Sequence, residues 1–392
     1  MTMRRVFLLL FSSALFIDCT GDEVSEDDVS AIITNLTTGY NKQVRPNFGK
    51  IPVTVGVSLY ILSLGELSEK TMDFTFDMYF RQFWHDPRLT FELLGLENLV
   101  LRTEFFNKIW VPDTFFVNEK DSNYHDVTDN NQALLLHHTG DITRSTKFTM
   151  KAICPMDLQY FPMDSHLCTL EIESFAHTMA DIRYAWKNGD HSVHMSPDVS
   201  LPEFHVLGHR QRIVEASLSS GNYSRLLADV QFSRAVGSYL IQVYLPIALM
   251  VMMSWLAFWL SEVSARVELC MVSILTVISI AISIHSSLAR ISYFTAMDIY
   301  FSVSFLFIFA TLMESVFLSF ATIWMQKVME EENPEDLKIR CMKNLYEFTT
   351  RYTDLLGRIG FPVTFLIFNI VYWNFYSTVS KKVLVDDLIY LQ

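Results

Sequence analysis

Positive charge is in short supply. The 392-residue chain holds 30 Lys and Arg against 43 Asp and Glu, a net charge of −13. That balance excludes nucleic acid as a partner, because neutralising phosphates needs a basic surface. Internal repeats and low-complexity tracts are absent from the sequence. So are the marks of an enzyme: there is no phosphate loop, no catalytic-triad context and no convincing metal box. No cofactor is expected. Cysteine is rare, with only Cys19, Cys154, Cys168, Cys270 and Cys341.

Apolar residues make up 51% of the chain, which is high for a soluble protein. The excess is concentrated after Val236. Residues 239–260 and 297–323 are long enough to span a bilayer. Residues 359–376 form a shorter run that ends in aromatics suited to the interface. The run 267–284 differs, because it contains Glu268, Ser273, Thr276, Ser279 and Ser283. At helical spacing, Glu268, Val272, Leu275, Ser279 and Ile282 form one stripe. An ionisable residue in a span faces a bundle interior or a water-filled cavity. Two readings fit. The stripe lines a pore with Leu275 as a dewetting constriction, or it is buried in a monomeric bundle with Glu268 paired to a neighbour.

The N-terminus sets the compartment. Arg4-Arg5 precedes a short apolar core, so 1–21 is expected to be a secretory signal rather than a span. Residues 22–237 then lie outside the cell as one domain. Spans follow within 238–323, a short cytoplasmic loop at 324–358, and the last span with an external tail at 359–392. The loop carries Lys327, Lys338, Arg340, Lys343, Arg351 and Arg358, a modest basic bias. It is broken at Asn333-Pro334, and 335–352 has the pattern of a short amphipathic helix.

Within the outer domain, segments such as 71–80 and 147–153 alternate apolar and polar residues. With regularly spaced turn signals they predict a β-sandwich of immunoglobulin-like type. Asn35 and Asn222 each open a glycosylation acceptor pattern. Cys19 lies in the leader, Cys270 in an apolar run and Cys341 in the cytoplasmic segment. Cys154 and Cys168 are left facing an oxidising exterior, which favours a bond between them over two unrelated thiols.

The stretch from Cys154 to Cys168, CPMDLQYFPMDSHLC, resembles the signature loop of pentameric ligand-gated ion channels. The likeness sharpens elsewhere. The segment from Trp110 to Lys120, WVPDTFFVNEK, resembles the first agonist-binding segment of ionotropic GABA receptors. Glu171-Ile172-Glu173-Ser174-Phe175 and Gly221-Asn222-Tyr223-Ser224-Arg225-Leu226 resemble the second and third. The segment from Phe74 to Trp84 and Thr143-Arg144-Ser145 resemble the complementary face. Together with Leu201-Pro202-Glu203-Phe204 and Gly208-His209-Arg210-Gln211, the pattern is similar to the invertebrate dieldrin-resistance type of GABA receptor subunit. It covers about 40–323 and the last span.

The resemblance implies a sandwich domain followed by a four-helix membrane bundle, assembled as a homo- or heteropentamer in a postsynaptic or other cell-surface membrane. It implies a chloride channel gated by GABA or a similar small zwitterion bound between ectodomains. The residue chemistry suits that ligand. Phe115, Phe175 and Tyr223 offer aromatic faces for an ammonium, with Glu173 as the acid. Ser174, Ser220 and Arg225 belong to the same segments. Arg81 offers a bidentate partner for a carboxylate, with Tyr79 beside it and Thr143 and Ser145 as hydroxyl donors. Taken singly, each aromatic reads more readily as sandwich core and Arg81 as a surface ion pair; the full motif context favours binding.

Two positions depart from the family pattern. His177 stands where such receptors carry a tyrosine. At the inner pore mouth, anion-selective relatives read Pro-Ala-Arg and then a small residue. Here the sequence is Ser264-Ala265-Arg266-Val267-Glu268. A ring of Glu268 carboxylates favours cations. Two other functions remain open on the sequence. One is a channel gated by glycine, an amine, protons or zinc, prompted by pairs such as His137-His138, His191 with His194, and His205 with His209. The other is an accessory membrane protein without a pore.

Overall fold

The structure, a computed structural model, describes residues 25–92, 96–127, 130–331, 337–380 and 388–390. The expected leader lies outside them. A helix, α1 (Glu26–Thr37), opens the chain, capped by Ser25 and Asp28. The strands follow as β1 (Val53–Ser68), β2 (Asp73–His85) and β3 (Asn98–Leu101), then the single turn α2 (Thr103–Phe106). After it come β4 (Thr114–Phe116), β5 (Glu119–Tyr124), β6 (Gln132–His137), β7 (Asp141–Ile153), β8 (Ser165–Ser174) and β9 (Ile182–Trp186). The outer domain closes with β10 (Val193–Met195), β11 (Phe204–Leu218) and β12 (Gly221–Arg234).

These strands form two sheets. One runs β10-β1-β2-β7-β6-β3, with β5 also on β7 and β9 also on β1. The other runs β11-β12-β8-β4. Alternation drives the packing: Phe74, Phe76, Met78, Phe80 and Trp84 of β2 all turn inward. Cys154, just past β7, bonds to Cys168 in β8 and so ties one sheet to the other.

Four helices are long and apolar enough to cross a membrane. The first, 237–259, comprises α3 (Gly237–Tyr239), a wide turn over Leu240–Tyr244, α4 (Leu245–Leu256) and a tight last turn. The widening has a cause in the sequence. Pro246 has no N–H to donate, and its ring disfavours regular backbone in the preceding turn. The second and third are α5 (Val263–Ser287) and α6 (Ala296–Glu331). The fourth, α7 (Leu337–Ser380), carries Pro362 internally.

The segment 324–358, expected between the third and fourth spans with an amphipathic helix at 335–352, is helical in its described residues. The third helix continues to Glu331 and the fourth starts at Leu337, taking in the amphipathic stretch. Hydropathy marks where lipid begins, whereas backbone hydrogen bonding carries a helix onward into water. At the far end a short strand, β13 (Ile389–Tyr390), pairs antiparallel with β11 at Gly208 and His209. Gly208 permits the approach, because a Cβ there would lie 2.6 Å from the Ile389 carbonyl oxygen.

The junction between the two parts is specific. The Ala296 amide donates to Gln159 O (2.9 Å), the Met297 amide to Phe161 O (3.2 Å), and Tyr293 Oη accepts from the Leu158 amide (3.0 Å). The disulfide-closed loop therefore rests on the start of α6 and on the linker after α5.

Candidate agonist site and pore

The antiparallel register of β4 on β8 sets Phe115 opposite Glu173 and Thr114 opposite Ser174. Strand β12 lies on the other side of β8, with Leu227 opposite Glu171. Cross-strand partners share a face, so Phe115, Glu171, Glu173 and Arg225 gather on one patch. Phe175 closes over Phe115 edge to face, with ring centroids 5.4 Å apart. Phe175 is 74% exposed, so its outer face is open to a neighbour. The β11–β12 hairpin brings in Tyr223, whose hydroxyl lies 3.0 Å from Ser220 Oγ. Gly221 makes that tip possible, with φ 140° and no room for a Cβ beside Thr178.

The acid of this patch is engaged. Arg225 Nε donates to Glu173 Oε2 at 2.8 Å and its Nη1 to Glu171 Oε2 at 2.5 Å. Burial works against the charge on Arg225, but the two carboxylates outweigh it and raise its pKa. Asp113 was not singled out by sequence reasoning. It anchors the loop beyond Ser174 by accepting from Ser174 Oγ (2.7 Å) and the Ala176 amide (2.7 Å). Its Oδ2 also lies 3.1 Å from His177 Nδ1. Burial alone would raise the Asp113 pKa, yet these partners hold it below the usual carboxylate value. His177 is thus turned toward Asp113. Thr114 is a second missed residue: it accepts from Gln82 Nε2 and meets the Tyr184 hydroxyl, both at 2.6 Å. The only signal for either was membership in the first segment's motif.

The other set lies on the opposite sheet. Tyr79 and Arg81 on β2, and Thr143 and Ser145 on β7, share one face. The register places Arg81 opposite Ser145 and Phe83 opposite Thr143. Arg81 is exposed, and among the described residues no acid pairs with it. Arg144 points through the sheet instead, toward Gln82, Gln132 and the Phe106 ring. Within one chain the aromatic patch and the Arg81 face sit on separate sheets and do not meet. Asn35 and Asn222 are both exposed, and Asn222 Nδ2 donates to Glu215 at 2.6 Å.

In α5 the stripe Glu268, Val272, Leu275, Ser279 and Ile282 is exposed along its whole length. Leu275 is 60% exposed and Ile282 65%. The opposite side, with Cys270, Ser273, Ile274 and Val277, packs into the bundle. The alternative of a buried stripe with Glu268 paired inside one bundle is therefore not what the chain adopts.

Comparison with known proteins matches the two parts of the chain in order. A model of the neurotransmitter-gated ion-channel ligand binding domain matches residues 29–236. A model of the transmembrane region of such channels matches residues 243–340. A gamma-aminobutyric acid receptor subunit beta-like of Drosophila melanogaster is 40% identical over 334 residues, covering 81% of this chain and 67% of that protein. A beta subunit of Lymnaea stagnalis is 38% identical over 327 residues, covering 81% of this chain and 65% of that one. A beta-4 subunit of Gallus gallus is 36% identical over 313 residues, covering 79% and 64%. The chain thus spans about two thirds of the length of these relatives. Two matched domains in order, over a sandwich and four membrane helices, make this chain a member of the neurotransmitter-gated ion-channel family, a family of multi-pass membrane receptors and not of enzymes.

Proposed function

We propose that the chain is a subunit of a GABA-gated channel in the plasma membrane, working as a homo- or heteropentamer. The carrying observation is the pair of half-sites on opposite sheets. Phe115, Phe175 and Tyr223 with Glu173 suit an ammonium. The guanidinium of Arg81, opposite Ser145 and paired with no acid among the described residues, suits a carboxylate. One chain cannot close this site alone, but two neighbours can, with ligand at each interface. The GABA receptor names of the relatives favour this ligand over glycine, amines, protons or zinc.

Binding draws the half-sites together and favours the open population. The motion passes through the loop at Phe161-Pro162-Met163-Asp164 and the linker at Tyr293 to the pore helix. On this reading 22–237 is the ligand domain and the α5 stripe lines the pore. The resemblance implies chloride, but the exposed Glu268 turns a homomer toward cations.

The test is to express the chain alone and record under GABA, glycine, amines, acid steps and zinc. GABA-evoked current is expected. Current with another of these stimuli alone would replace the ligand. Silence in every subunit combination at normal surface expression would favour a non-conducting accessory protein.

A further inference from the structure

Arg266 is the one Lys or Arg in α5, and it stands two residues before Glu268. Two residues are about 200° of helical turn, so the two side chains face opposite ways. Glu268 is exposed on the pore stripe, whereas Arg266 is only 7% exposed. The structure shows what receives it. Arg266 Nε donates to the Leu260 carbonyl at 2.7 Å. Its Nη1 and Nη2 lie 3.1 and 3.4 Å from the two carboxylate oxygens of Asp354 on α7. Glu314 on α6 is within electrostatic reach of both residues. Its two carboxylate oxygens are buried and have no hydrogen-bond partner among the described residues. One guanidinium and two carboxylates, from three helices, are thus packed behind the pore helix.

We propose that Asp354 is a selectivity-determining positioning residue: it holds Arg266 behind the pore helix, so that the Glu268 ring acts on permeating ions unopposed. This rests on the channel reading above. Asp354 lies on the fourth membrane helix, away from the stripe. It acts only through where it keeps the arginine. A buried guanidinium stripped of its acid is strongly disfavoured. Its long side chain then extends to the nearest water, at the inner mouth beside Glu268. There each subunit adds a positive charge to a ring of negative ones, and the preference for cations falls.

The test measures reversal potentials of agonist-evoked current in homomers of the full chain. Asp354→Asn should lower the cation-to-chloride permeability ratio by about tenfold, the effect of a unit charge brought to the permeation path. The double variant Asp354→Asn/Glu314→Gln removes the second acid and should shift it at least as far. Adding Arg266→Gln to either should abolish the shift. Unchanged reversal in both acid variants would overturn the proposal, since a merely structural Asp354 changes current size but not selectivity.

A second readout needs no current. Full chain carrying Arg266→Cys and Asp354→Cys, with Cys270 and Cys341 changed to serine and a protease site placed within 332–336, is treated in membranes with a short bis-methanethiosulfonate. After cleavage the two fragments should remain joined, and their separation would overturn the pairing. A wild type silent to every agonist overturns the channel reading instead, while the cross-link still reports on the pair.

Discussion

Arg234 and Asp164 form a buried bidentate ion pair at the seam between sandwich and membrane. Nε to Oδ1 is 2.7 Å and Nη2 to Oδ2 is 3.0 Å, and both side chains are essentially inaccessible. Arg234 ends β12, just before the first membrane helix. Asp164 sits in the disulfide-closed loop, ten residues past Cys154. Glu69, after β1, reaches the same guanidinium. The rings of Phe161 and Phe204 lie against it at 4.7 and 4.5 Å. One cation thus joins three segments where the sandwich meets the membrane helices.

Breaking that pair leaves a buried charge without its main partner, a loss of ~3–5 kcal/mol. Asp164→Asn should therefore remove most receptor from the surface, read by surface labelling. Normal labelling and gating would contradict the role given to the pair. Burial raises the Asp164 pKa, but hydrogen bonds from His166 and Arg234 win and push it down to about 2. A carboxyl depressed below its unfolded value of ~3.9 stabilises the fold above that value and ceases to do so as pH falls through its folded value. The solubilised wild type should lose roughly 2–3 kcal/mol from this group progressively between about pH 5 and pH 1. Thermal unfolding across that window checks it, and an equally steep fall in Asp164→Asn would assign the loss to other groups.

At the proposed agonist site, Arg81→Ala would remove the charged partner proposed for the ligand carboxylate, worth ~1.5–3 kcal/mol. GABA sensitivity should shift to the right by about 10- to 150-fold. Tyr223→Ala should shift it the same way through the ammonium. Unshifted dose–response curves in both, at normal surface expression, would remove these residues from the site.

The bridge between the sheets gives a third expectation. Cys154→Ser should abolish mature surface receptor, because losing the closure destabilises a folded domain by ~2–5 kcal/mol. Surface biotinylation measures this directly, and undiminished labelling would show the bridge to be dispensable.

Much of this was legible in the sequence because it is periodic. Alternation in 71–80 and 147–153 marked parts of β2 and β7, and helical spacing marked the exposed face of α5. Contacts between distant residues were not legible. Nothing in the sequence couples Arg266 to Asp354, 88 positions away, or shows that Arg225 occupies Glu173. The extent of helix within 324–358 was less legible for a related reason: hydropathy does not distinguish a polar helix from a loop. The two half-sites were recognisable only through long motifs, because a single aromatic or arginine on a strand carries no mark of its use.

The most direct test concerns Glu268. In cells expressing this chain alone, the reversal potential of the GABA-evoked current is measured at two chloride concentrations, for wild type and for Glu268→Ala. The account predicts a wild-type current carried mainly by cations, with little movement when chloride changes, and a variant whose reversal moves toward that of chloride. A wild-type reversal potential that follows the chloride gradient would contradict it.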